Sequence, residues 1–145
     1  MPTSSRDVLE ITLQRTGTDG PAPAYVVSYR RDGTALYEGQ YHVRRLGRWE
    51  GRIREATFVR LAELAVKNGF FDLLPRYARS VTCCPWAITT LATERERRTV
   101  QNYARAGPPP LVEVEQAIDA LSRRVRWRPG TFALDDIIPR LERWP

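Results

Sequence analysis

The side chains able to act as strong nucleophiles or soft metal ligands are few: Cys83, Cys84 and the one histidine, His42. A structural zinc site wants four such ligands at spacings like Cys-x-x-Cys. Adjacent residues on a strand point to opposite faces, so Cys83 and Cys84 are badly placed to share an ion. A bond between them would close a strained small ring, which leaves reduced thiols as the default and a redox-responsive pair as the alternative. A Cys–His dyad would need His42 to meet one cysteine within ~3 Å, across a long stretch of chain. The acidic residues form no Asp-x-Asp or Glu-x-x-His pair, and Gly17-Thr18-Asp19-Gly20 lacks the length and the lysine of a phosphate-binding loop. These readings name no cofactor and no metal, and they lead us to expect a protein that is not an enzyme. The rival expectation is an enzyme or redox protein using Thr82-Cys83-Cys84-Pro85.

Arginine and tryptophan carry the stronger signal. Arg44, Arg45, Arg48, Trp49, Arg52 and Arg54 fall in one short stretch with Glu50 as its lone acid, and Arg123, Arg124, Arg126, Trp127 and Arg128 form a second cluster. A planar guanidinium forks onto carboxylates, and an indole fills a pocket, which is why both are enriched at interface hot spots. The expected binding residues are Arg44, Arg45, Arg48, Trp49, Arg52, Arg54, Arg124, Arg126 and Trp127. Their expected partner is a protein, and an acidic one fits best. The alternative is a nucleic acid, its phosphates neutralised by arginine and its bases stacked on tryptophan.

Composition limits these readings. The chain has 145 residues with 23 basic and 17 acidic side chains, a formal net charge of +6. Lys67 is the only lysine among the basic residues, a bias that also fits a GC-rich genome, so the charge alone argues only modestly for an anionic partner. Apolar residues at 42% are enough for one core. No window approaches the ~18 consecutive apolar residues of a membrane span, and the first residues lack the apolar run of a signal peptide. The expectation is one cytoplasmic domain over 1–145 that meets no membrane.

The elements that must position these residues follow from periodicity. Val8–Arg15 alternates as a half-buried strand; Thr16–Pro23 is rich in turn formers. Ala24–Arg31, a tight Asp32-Gly33 turn and Thr34–Glu38 predict a hairpin, and Gly39 then precedes another strand over Gln40–Leu46. Phe58, Leu61, Ala62 and Ala65 predict a helix near 55–68, capped at Asn68-Gly69, and Phe70, Phe71, Leu73 and Leu74 predict an apolar plug behind it. Trp86–Thr93 and Arg98–Tyr103 predict a second hairpin. Leu111, Val114, Ile118, Leu121 and Val125 predict an amphipathic helix near 111–125. In the tail, 128–145, Leu134, Ile137, Ile138 and Leu141 suggest a short helical segment. The sum is a single α+β domain: an antiparallel sheet of five or six strands with two main helices on one face.

The order of these landmarks resembles a family of small bacterial domains known as domain of unknown function 6438. The matching positions are Gly17, Gly20, Pro23 and Tyr25, then Asp32-Gly33, Tyr37 with Gly39, Phe70-Phe71, Tyr77, Thr82 with Pro85, and Ile118-Asp119 with Leu121. They span roughly residues 8–127. Where the family pattern has two loop cysteines this chain has Thr18 and Ala22, and where it has an aspartate before x-Pro this chain has Cys83. The resemblance therefore implies a scaffold and no activity.

Overall fold

A computed structural model describes residues 3–16, 22–82, 84–133 and 136–137. Its elements are β1 (Glu10–Thr16), β2 (Ala24–Arg30), β3 (Thr34–Tyr41), β4 (Gly47–Arg52), α1 (Glu55–Lys67), β5 (Arg76–Tyr77), β6 (Trp86–Ala92), β7 (Arg97–Tyr103), α2 (Pro109–Ser122) and β8 (Arg128–Pro129), with 3-10 turns at Ser5–Asp7 and Phe70–Asp72. The strands form one sheet in the order β5-β7-β6-β1-β2-β3-β4-β8. This corrects the expected sheet of five or six antiparallel strands. The sheet has eight and is mixed, because β5 runs parallel to β7 and β8 adds to the edge of β4. Both additions are two residues long, too short to show any period in sequence.

A second correction concerns Gly39. The strand does not stop there: β3 runs through it to Tyr41, and His42 to Leu46 form a loop, not a strand. Gly39 is needed for closeness. A Cβ at this position would lie 1.8 Å from the Arg45 carbonyl oxygen and 2.7 Å from a Val43 methyl, so the loop folds directly onto the glycine.

Strand alternation sends Ile11, Leu13, Val27, Tyr29, Ala35, Leu91 and Val100 to one face of the sheet. There they merge with Phe58, Leu61, Ala62 and Ala65 of α1 and Leu111, Val114, Ile118 and Leu121 of α2 in a single core. Both helices thus lie on one face, as expected. The hydrophobic stripe of α2 continues past its end to buried Val125, which the helix no longer carries. Gly69 takes the left-handed conformation (φ 77°) that ends α1 and turns Phe70 into the core. Leu74, expected in that plug, is exposed instead.

On the other face, Val26 and Leu36 are covered by Phe132 and Ile137. The rest of the expected tail helix and the loop from Gly17 to Pro21 lie outside the described residues, as does Cys83. No helix of the described chain is long and apolar enough to cross a membrane.

Candidate functional site

The strand register lines up Asn102, Ala87, Arg15, Tyr25 and Gly39 in one row on the helix-bearing face. Over this row α2 places Glu115 and Asp119, four residues apart and therefore on one side of the helix. Arg15 donates from Nε (3.0 Å) and Nη2 (2.8 Å) to one Asp119 oxygen, and the Tyr25 hydroxyl donates to the other. Arg15 Nε also donates to the Tyr25 oxygen at 3.1 Å. Asn102 donates to Glu115 at 2.9 Å and accepts from the Gly107 amide at 2.8 Å. These polar groups anchor α2 to the sheet.

Their protonation follows from burial and neighbours. Desolvation works against the charge on Arg15, but the Asp119 carboxylate, with help from Tyr25 and Glu115, more than offsets it and raises the guanidinium pKa. Burial, then Asp119, drives the Tyr25 phenol well above its ordinary value, so it remains a hydrogen-bond donor. Burial also pushes the Glu115 carboxyl up, against the pull of Asn102 and Arg15.

Beyond Asp119 the row opens into a cleft of about 600 Å³, lined by Tyr25, Tyr37, Asp119, Ser122 and Trp127 and rimmed by His42, Arg44, Arg45 and Arg123. Two close approaches build it. The β3–β4 loop sits on Gly39, and the segment after α2 sits on Gly51, where a Cβ would meet a Val125 methyl at 2.6 Å and the Arg126 carbonyl oxygen at 3.0 Å. Tyr25 and Tyr37 stack at 5.8 Å between centroids, and Trp127 tilts against Tyr37 at 5.5 Å. Trp127 is fixed by its indole N–H, which donates to the Ser122 carbonyl at 2.9 Å.

The two sequence clusters are split by strand alternation. Arg44 and Arg45 reach the cleft, and Arg45 lies over the Trp49 ring at 5.9 Å. Trp49 packs on the core edge, its indole N–H donating to the Leu46 carbonyl. Arg48 points to the opposite face, pairing with Glu38 and donating to the Phe132 carbonyl. Arg52 donates to the Asp32 carbonyl at the far hairpin, and Arg54 holds the N-cap position of α1. Arg124 lines a shallow groove between α1 and α2 with Arg60 and Leu64, and Arg126 is exposed outside the cleft.

His42 stands on the cleft rim, in the left-handed conformation (φ 55°). Cys84 lies two residues before β6, its thiol donating to the Thr82 carbonyl. No group of three or more metal-ligating side chains occurs among the described residues.

Residues 9–122 match the family model described as Domain of unknown function (DUF6438). The chain belongs to this family. No curated protein matches it. Within the DUF6438 chain, Tyr25, Tyr37, Gly39 and Asp119, four positions scattered along the sequence, converge on the cleft. The other landmarks serve the frame: Asp32-Gly33 turns the far hairpin, Phe70 plugs the core, and the Tyr77 hydroxyl accepts from the Leu74 amide. Arg15 and Glu115 were not among the expected site residues. The available signal was a charge set into otherwise apolar periods, Arg15 next to the end of β1 and Glu115 within the buried stripe of α2.

Proposed function

We propose that this DUF6438 domain is a non-catalytic binding module of the bacterial cytoplasm, an inhibitor, immunity factor or accessory subunit, that takes an anionic segment of a protein partner into the cleft. The observation that carries this reading is electrostatic. Arg15, Arg30, Arg48, Arg97 and Arg128 are paired with carboxylates. Arg44, Arg45 and Arg123, facing one concavity, have no carboxylate partner among the described residues. Among the described residues the one carboxylate inside the cleft is already held by Arg15 and Tyr25, so the described rim presents net positive charge over aromatic walls. Partner anions desolvated there gain from guanidinium forks.

Two features favour binding of a protein over the rivals. Tyr25 is a phenol held protonated, which makes it a poor nucleophile. The ring faces of Tyr25, Tyr37 and Trp127 are spent largely on one another, which leaves little flat surface for stacking bases.

The test is calorimetric titration of a glutamate-rich peptide into three proteins. Replacing Arg44, Arg45 and Arg123 together by Glu is expected to weaken binding at least about tenfold, while Arg48→Glu with Arg52→Glu leaves it within about twofold. Equal loss in both variants, or no binding by the unaltered domain, overturns the reading. Duplex DNA run in parallel separates the nucleic-acid alternative, whose log K would change by about 0.9 per neutralised phosphate per log unit of salt.

A further inference from the structure

We propose that the anionic group this cleft holds is a phosphomonoester, so that the segment it takes up is a phosphorylated one. This deepens, and rests on, the reading of the cleft as an anion-binding site.

The deciding residue is Tyr37. It lies on the cleft floor, only 8% exposed, stacked between Tyr25 and Trp127, and its hydroxyl has no hydrogen-bond partner among the described residues. That hydroxyl is not one of the buried side-chain atoms left unpaired, so it opens onto the cleft, where a ligand oxygen can take the place of water as its acceptor. Burial and Asp119 raise the Tyr37 pKa against the pull of Arg45, which keeps the group a donor. Three arginines from two separate segments line the same cleft, Arg44 and Arg45 on the β3–β4 loop and Arg123 at the end of α2. One guanidinium fork satisfies the two oxygens of a carboxylate, whereas a phosphomonoester brings three acceptor oxygens and about −1.5 to −2 charge at neutral pH. The donor set here matches the second.

Among the described residues, the negative groups at the site are already engaged. Asp119 is bound by Arg15 and Tyr25. At the carboxyl end of α2, the Asp119 carbonyl accepts from the Ser122 hydroxyl, the Leu121 carbonyl from the Arg124 amide and the Ser122 carbonyl from the Trp127 indole. The helix terminus therefore opposes an anion less than an open one would.

The experiment is an NMR titration of the full chain with phenyl phosphate, benzoate and inorganic phosphate, reading the Trp127 indole and Arg123 resonances. Phenyl phosphate is expected to bind about tenfold more tightly than benzoate. Tyr37→Phe, which keeps the ring stack, is expected to remove most of that gap and leave benzoate unchanged. If benzoate binds as tightly as phenyl phosphate, the phosphate assignment falls and the anion-binding cleft stands. If neither ligand moves these resonances, both fall. Inorganic phosphate binding as tightly as phenyl phosphate would point to a free ion and overturn the phosphorylated segment. A Tyr37→Phe domain that folds with an undiminished gap would overturn the role of the hydroxyl.

Discussion

Asp119 gathers donors from two strands, and its removal isolates a charge. Arg15 has a side chain only 25% exposed and faces no other carboxylate within ion-pair distance among the described residues. Asp119→Ala is expected to lower stability by about 2 kcal/mol, much of it the cost of leaving that guanidinium unpaired. Asp119→Asn, which still accepts hydrogen bonds, should lose about half as much, and urea unfolding of the two variants checks the ranking. Little of this was legible in sequence. Tyr25 and Asp119 stood out as landmarks, but their pairing with Arg15 depends on which strand α2 crosses, and local periodicity carries no such information. The arginine clusters show the reverse: neighbours in sequence, such as Arg48 and Trp49, leave a strand on opposite faces.

Among the elements, the β3–β4 loop depends most sharply on one position. Gly39→Ala must push the Arg45 backbone away and carry the rim arginines with it, since the added methyl would overlap the Arg45 carbonyl. The expected outcome is a domain that still folds, with the loss of about 1–3 kcal/mol usual for overpacking, and with anion affinity reduced about tenfold. A thermal melt together with the benzoate titration measures both. The hairpins, the two helices and their shared face could be read from apolar spacing, because each spans enough residues to show its period. Gly39 misled because a glycine inside a strand marks either a break or a close approach, and sequence does not distinguish them.

For the whole molecule, Glu115 ties stability to pH. It is 3% exposed, and burial, partly offset by Asn102 and Arg15, raises its pKa from the ordinary 4.5. The native state therefore holds a proton that the unfolded chain has released, so this contribution is whole below pH 4.5 and is lost as pH rises through the higher native value. Glu115→Gln should remove that decline. The difference between wild-type and variant unfolding free energies should grow in the variant's favour from pH 4 to pH 7; a flat difference would contradict the burial argument. The outermost strands have a consequence of another kind. The sheet ends in β8 on one side, Arg128-Pro129, whose proline donates no backbone hydrogen bond, and in β5 on the other, Arg76-Tyr77 directly after Pro75. Each of these terminal strands gives a foreign strand only two residues to pair with, and the proline removes a donor at the β8 edge, which blunts both against fibril-like stacking.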